Sequence, residues 1–487
     1  MTCDEVRDFP ALRPHQRHPW HAFLVQLAAM ALHYARQSQP FESEEEWKNA
    51  LLALTPEHPD GCAWCLVSPH DKPAFMQAPV PGGVVSGWKN NFHAADEIDM
   101  LVTGKNHDLK IARMKNSAPD DWLMALISLQ TQEGRLGSGN YGISRMNGGF
   151  GSRPALGVVP KGHWGCRWRR DVKVLLTQRD KIIEQMELMV QGGIGLVWLQ
   201  PWDGEESLAF SSLDPFYIEI CRRIRLCSND GVVAAIATTS KSARIEAKGR
   251  NGMTGDPWIP IDISAAKALT ITAKGFGYRL SADLLFGTKF HRPIAQMLAQ
   301  GDGIEGIVVL AQSVTRGQGK TEGYHERRIP ISPKIRQLLI QRKTDLLAKI
   351  AEERVHAIGQ VRGVLWTALA TLFDNGVQKE KFSDGAKDKA NIFSKPFEQG
   401  EDTRFFDELN AEIESDQPQE TRLQWMLSMA ERAETILKGA FDAGPRSGEQ
   451  RYRARAKALA NFHRSLRSEK VLLTLAAYYR QQKINHQ

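Results

Sequence analysis

At Pro330 and Pro333 the sequence changes character. Downstream, apolar residues recur at helical spacing in successive blocks: Leu339, Leu346 and Ile350; Val361 to Phe373; Leu423, Leu427, Ala430 and Leu437; Tyr452, Leu459, Phe462 and Leu466. Blocks of this kind, joined by mostly short connections, bury their stripes against one another as an antiparallel helical bundle. Helices are expected near 403–414, 420–441 and 448–467, with a terminal one to about 480 and a Lys/Asp/Gly-rich loop at 376–400. Upstream the pattern is mixed. Pro19 opens a helix whose Trp20, Leu24, Leu27, Ala31 and Tyr34 share a face, and Ser43 caps a second that runs to about Leu54. From Tyr217 to about Leu310, YIEICRRIRL, GVVAAIATT, ALTITAKGF and GIVVLAQSVT alternate or run apolar between turn residues and read as strands. The expected fold is α+β: a mixed domain over 1–332 with β-rich portions and long Gly-rich loops, then a helical domain over 333–487 built as a four-helix bundle.

The most distinctive local stretch is GRLGSGNYGISRMNGGFGSRPALGVVPKGHWGCRWRR, residues 134–170, which holds no acidic residue between Glu133 and Asp171. Seven cations, Arg135, Arg145, Arg153, Lys161, Arg167, Arg169 and Arg170, are interleaved with Tyr141, Phe150, Trp164 and Trp168. Clustered glycines let backbone N–H groups approach a ligand closely, and uncompensated positive charge beside aromatic rings suits a phosphate backbone or a groove edge. The plainer alternative is a basic surface loop. A literal GxGxxG at Gly137–Gly142 follows a helix-like pattern and has no acidic residue about 20 positions on, so it is not a dinucleotide fingerprint. A short helix over 120–130 leads into this stretch, and Asp171 to Met189 reads as a strand or helix start followed by helix.

A hairpin is expected further on. Ile307–Thr315 and Tyr324–Ile331 flank a long glycine-supported loop over 316–323, with Gln318 between Gly317 and Gly319 at its tip. Lys241, Arg244, Lys248 and Arg250 form a second basic cluster just before GDPW. In the 448–467 helix, Arg453, Lys457, Arg464 and Arg467 make a purely positive stripe, which is either a solvated face or a second nucleic-acid track.

Composition excludes other classes. A length of 487 residues with 42% apolar content suits a globular chain of two to three domains, and the net charge of +7 matters because it is clustered. Six scattered cysteines are no disulfide framework; with no signal segment and no long apolar run, a reduced cytoplasmic protein is expected. Cys62-Ala-Trp-Cys65 lacks a second pair, and His15, His18 and His21 straddle a helix start, so neither reads as a metal site. No P-loop, nucleophile elbow or metal-binding helix motif is present, and no enzyme, cofactor or metal is expected. A nucleic-acid-modifying enzyme such as a nuclease, and a purely structural ribonucleoprotein scaffold, remain as alternatives.

In order along the chain, RPHQRHPWHAFLVQLAAMAL, PAFMQ, DMLVTGKNHDLK, NGGFGSRPALG, GDPW and the hairpin before ERRIPI, ahead of a helical C-terminal part, resemble the large subunit (CasA-type) of subtype I-E CRISPR Cascade complexes. The resemblance implies a non-catalytic subunit of a guide-RNA (crRNA) complex. Such a subunit inspects double-stranded DNA for the short flanking motif called the PAM, reads it from the minor groove, and helps open the duplex for guide pairing. By position, Asn147, Gly148, Gly149, Phe150 and Gly151 would be the PAM loop, and Gly317, Gln318 and Gly319 the wedge. Lys241 and Lys248 both fit a lysine contact to DNA. The loop at Ser128, Leu129, Gln130 and Thr131 would reach the guide's 5′ end, and the Arg453, Lys457, Arg464 and Arg467 stripe would face the displaced strand or the small subunits. Implied partners are backbone, guide-end-capping and small subunits, and a helicase-nuclease or nuclease-fused subunit, with no membrane. Some relatives carry a zinc-binding CxxC pair just ahead of the PAM loop; here Gly137-Ser-Gly-Asn140 stands in its place, so no zinc is expected.

Overall fold

A computed structural model describes residues 6–99, 117–132, 154–298, 301–302, 306–317, 320–376 and 381–485. The chain divides into two compact units, one of residues 1–276 and 288–329, the other of residues 277–287 and 330–487.

The first unit is built round α1 (Arg17–Tyr34), which is apolar on nearly every side and accordingly buried, with Val25, Ala29 and Leu32 fully inaccessible. It starts two residues before Pro19, after a 3-10 turn at Pro14–Gln16; Pro19 still lies in the first turn, where no N–H is needed. Around α1 pack α2 (Glu44–Ala53), α3 (Pro119–Thr131) and α4 (Trp164–Met186). Ser43 caps α2 as expected: its hydroxyl accepts the Glu46 N–H while Glu46 reaches back to the Ser43 N–H. The three histidines diverge: His15 bonds Asp99 (2.8 Å), His18 lies edge-on to Trp258, and His21 bonds Asp171 (2.8 Å) on α4.

Apart from two long hairpin strands, the described strands are short, and all form small sheets. β1 (Asn90–Phe92) pairs with β6 (Val232–Thr238), which pairs with β5 (Arg223–Asn229); β3 (Ile194–Leu196) runs parallel to β4 (Leu213–Ile218). A further sheet has the order β8 (Lys267–Ala268), β7 (Ile261–Asp262), β9 (Phe290–His291). The sheet that frames the site has the order β11 (Lys320–Ile331), β10 (Ile307–Gly317), β2 (Pro154–Pro160). The GDPW motif buttresses it. Asp256 accepts the Trp258 N–H, the Trp258 carbonyl accepts the Leu156 N–H (2.9 Å), and a Cβ at Gly157 would come within 3.3 Å of the Trp258 ring.

Three expectations need correction here. The strands of the hairpin extend past the expected loop, ending at Gly317 and resuming at Lys320. The stretch ALTITAKGF contributes only Lys267–Ala268 as strand, and the helix α5 (Tyr278–Leu285) follows it. The last seven residues of the acid-free window are the first turns of α4, with Arg167 and Arg170 buried. Arg170 donates to Asp171 (2.8 Å), to Asp302 (3.0 Å) and to the carbonyls of Ala295 and Met297, so acids beyond the window neutralise charge inside it.

The second unit, with α5, is a run of helices: α6 (Pro333–Ile340), α7 (Thr344–Phe373), α8 (Asp384–Glu414), α9 (Pro418–Gly439), α10 (Gly448–Leu466) and α11 (Leu473–Asn485). This is helical as expected, with four long helices among several shorter ones in place of an unadorned four-helix bundle. The two helices expected over 339–373 divide instead at Arg342, whose φ of 59° ends α6, and the rest is one 30-residue helix. The expected loop at 376–400 is largely the first half of α8. Its Lys, Asp and Gly residues lie mostly on the outer face, while Ala386, Ala390, Ser394, Phe397, Glu401 and Phe405 repeat every three to four residues on the buried one, and Pro396 is accommodated inside. Arg354 is buried over the Trp425 ring (4.1 Å) and donates to Glu412 (2.7 Å), which also accepts from Arg422.

Burial and the Arg167 guanidinium together pull the His21 imidazole down to about 4, against the raising effect of Asp171, so His21 is neutral in the folded chain at pH 7. Unfolded, it takes up a proton near 6.5, so it adds stability above that pH and loses it as pH falls towards 4. We expect His21 to account for about 3 kcal/mol of the acid-side slope between pH 6.5 and 4. Urea unfolding of His21→Gln across this range checks it: the variant's curve should be flatter than that of the native chain.

Candidate nucleic-acid interface

The glycine-rich segment is held at both ends. At its N-terminal end, Ser128–Thr131 is the last turn of α3, not a loop, and all four side chains are buried. The reason is Gln130. Its amide oxygen accepts the N–H groups of Cys221 (2.9 Å) and Arg222 (2.8 Å), and its amide nitrogen donates to the carbonyls of Met76 (2.8 Å) and Arg222 (3.1 Å). Thr131 returns its hydroxyl to the Ile127 carbonyl (2.7 Å), while Leu129 packs beside Trp122 and Ile224. As folded here these residues anchor the helix end and offer nothing outward. At the C-terminal end the segment enters β2, whose Pro154 stands opposite Ser313 of β10. Four residues on from Ser313, about 13 Å along the strand, β10 ends at Gly317. The exit of the glycine segment and the hairpin tip therefore lie at the same end of one sheet. Asn147, Gly148, Gly149, Phe150 and Gly151, expected as a PAM loop, and Gln318 and Gly319, expected in a wedge, lie outside the described residues; Gly317 is the last residue of β10.

A polar ladder crosses the hairpin below its tip. Gln312 Nε2 donates to the Tyr324 hydroxyl (2.7 Å), which donates to Glu326 (2.7 Å), and the Thr315 hydroxyl bonds His325 Nε2 (3.0 Å). Burial, then the Glu326 carboxylate, pushes the Tyr324 phenol well above its ordinary range, so it stays a donor at any physiological pH. Sequence reasoning did not single these residues out; Gln312, polar after the apolar run Ile307–Ala311, was the available signal.

The second basic cluster divides on inspection. Arg244 is buried, donates to the Gln200 carbonyl (2.7 Å) and lies over the Trp202 ring. Arg250 lies over the Phe210 ring (4.0 Å) and pairs with Glu187. Lys241 is exposed but paired to Glu205 (2.9 Å). Lys248 is exposed in a 3-10 turn and pairs with no acid among the described residues, which makes it the freer of the two lysines to meet a phosphate.

In the second unit, Arg453, Lys457 and Arg464 on α10, with Arg467 capping it, are all exposed, opposite the buried Ala454, Ala458, Phe462 and Leu466. Among the described residues no ion pair engages any of the four, and Arg467 lies over the Tyr479 ring (5.9 Å). The stripe is thus an outward face. Among the described residues, no group of three or more His, Cys, Asp or Glu could hold a metal ion, and no helix is long and apolar enough to cross a membrane. Cys62 is buried and Cys65 exposed at the ends of one 3-10 turn.

No family model and no curated protein sequence matches this chain. Solved structures do. Cse1 from Thermobifida fusca superposes with a TM-score of 0.62 at 16% identity, covering 96% of this chain and 92% of that one. CasA from Thermus thermophilus gives 0.61 at 13%, covering 94% and 92%. The CRISPR-associated protein Cse1 from Acidimicrobium ferrooxidans gives 0.60 at 14%, covering 94% and 90%. The chain has the CasA/Cse1 fold over nearly its whole length.

The role of Gln130 as an anchor is testable. Gln130→Leu removes four hydrogen bonds to buried backbone groups and should cost about 3–5 kcal/mol in urea unfolding. Ser128→Ala, which removes a buried hydroxyl that has no partner among the described residues, should cost under about 1 kcal/mol.

Proposed function

We propose that this chain is the large subunit of a guide-RNA-directed CRISPR surveillance complex of the subtype I-E kind, acting in the cytoplasm in antiviral defence. Its task is to recognise the PAM in duplex DNA through the minor groove and to help open the duplex for guide pairing. The observation that carries this reading is the likeness to CasA/Cse1 structures along at least 94% of the chain. The placement of the glycine segment's exit and the hairpin tip at one end of a sheet supports it locally.

The chemistry follows from the residue types. Minor-groove edges carry a degenerate code, so a reader built from Asn147, Gly148, Gly149, Phe150 and Gly151 recognises a tolerant motif, and glycine backbone enters where side chains do not fit. Gly317, Gln318 and Gly319, carried on a hairpin stiffened by its polar ladder, form the wedge. Unstacking a base step costs a few kcal/mol, and pairing with the guide then supplies sequence specificity and drives R-loop formation. Lys248, in preference to Lys241, contacts a phosphate nearby. The Arg453, Lys457, Arg464 and Arg467 face tracks the displaced strand or the small subunits. The chain performs no bond chemistry itself; cleavage belongs to a helicase-nuclease or nuclease-fused partner. The other partners are the guide RNA and the backbone, guide-end-capping and small subunits. Ser128–Thr131 reaches the guide's end only if the last turn of α3 rearranges on assembly.

The decisive measurement titrates the guide-loaded complex, with and without this chain, against matched-target duplexes randomised in the flanking base pairs. Flank-selective binding is expected only with the chain present, and Gly148→Asp should abolish that selectivity through bulk and repulsion. Gln318→Ala should slow strand opening yet be rescued by a duplex pre-melted beside the motif. Equal binding by both preparations would point to a scaffold instead. Separately, replacing Arg453 and Lys457 by Ala should lower the slope of log affinity against log salt by roughly one unit per lost phosphate contact, read from titrations at several salt concentrations.

A further inference from the structure

Beneath the C-terminal half of α4 lies a cavity of about 380 Å3, lined by none of the residues assigned above to DNA. Lys181 and Gln185 of α4, Thr254 and Asp256 of the turn before Trp258, and His291 and Arg292 at the end of β9 contribute to its walls. Arg292 is half-buried and makes no hydrogen bond or ion pair among the described residues. Burial alone holds its guanidinium below the ordinary arginine value, with no carboxylate acting to raise it. Lys181 is exposed and also forms no ion pair among the described residues. Asp256, the carboxylate on the wall, gives one oxygen to the Trp258 N–H (2.8 Å).

The geometry points to this cavity as a binding site for the phosphoryl group of a phosphate monoester. A half-buried guanidinium that no carboxylate engages among the described residues is suited to an anion supplied from outside the chain. The planar guanidinium fork matches phosphate oxygens, and the Lys181 ammonium supplies a second positive charge for a dianion. The volume lies within the range of about 300–1,000 Å3 usual for small-ligand sites, so there is room for an organic group attached to the phosphate. That group is either a free nucleoside or the end of a nucleic-acid strand, and the phosphoryl chemistry is the same for both.

The full-length chain is titrated calorimetrically with AMP, adenosine and acetate at constant ionic strength, and with short oligonucleotides bearing a 5′-phosphate or a 5′-hydroxyl. AMP should bind where adenosine and acetate do not, and Arg292→Gln should weaken AMP by about tenfold or more. A phosphorylated oligonucleotide that outbinds its hydroxyl twin, in a manner dependent on Arg292, assigns the site to a strand end. Binding of AMP alone assigns it to a small ester. Lys181→Gln, at an exposed position that leaves folding intact, should weaken AMP as well, so the test survives if the Arg292 variant is unstable. The proposal is overturned if neither phosphate ester binds, if acetate binds as well as AMP, or if the folded variants bind AMP like the native chain.

Discussion

A small lattice of buried amide and guanidinium groups holds the first unit together where the glycine segment begins. Gln77 accepts the Leu226 N–H (2.6 Å) and donates to the carbonyls of Leu66 and Phe75. Arg225, fully buried on β5, donates to five carbonyls between Ser68 and Ala78. Gln130 completes the lattice by tying the end of α3 to Met76 and to the strand entry at Cys221 and Arg222. Burying polar groups of this kind is unfavourable unless they are paired, and here, Arg225 Nε apart, the donors and acceptors named are paired and fix one arrangement more sharply than apolar packing does. An irregular loop, the PAFMQ stretch, thereby becomes as fixed as a strand.

The second constraint is electrostatic. His21, Arg167, Arg170, Asp171 and Asp302 gather on the α1–α4 side of the same unit, where Asp171 is inaccessible and accepts from both His21 and Arg170. Removing Arg170 or Asp171 leaves an uncompensated buried charge, so the cluster fixes relative positions more than it adds stability. Arg170 also holds Asp302 and the carbonyls of Ala295 and Met297, a few residues before β10 begins. The sheet carrying the hairpin is therefore secured through charges, and the other end of the glycine segment enters that same sheet at β2.

Much of this was legible in the sequence. The helix cap at Ser43, a helix over 120–130, the strands flanking the hairpin loop and the helical character after Pro333 all follow from local rules that need only a few neighbouring residues. What local rules missed depended on distant partners. Residues 384–400 look like a loop by composition, and only the packing of Ala386, Ala390 and Phe397 against other helices makes them one half of α8. Gln130 looks like a surface polar residue at a helix end until residues about 90 positions later supply its partners. Likewise the acid-free window between Glu133 and Asp171 was real, but charge neutrality is settled in space, and Asp302 reaches Arg170 across 132 positions.

That last point changes how a basic protein should be read. A net charge of +7 says little until the cations are divided by what they face. Arg170, Arg225, Arg244 and Arg354 are sequestered: their partners are carbonyls, carboxylates and rings, and they contribute a field but no contact. Lys248 and the α10 stripe are exposed and unspent by any acid among the described residues. Counterion release rewards only charges that can reach a phosphate, so the salt dependence of any nucleic-acid binding should track this smaller, exposed set rather than the total.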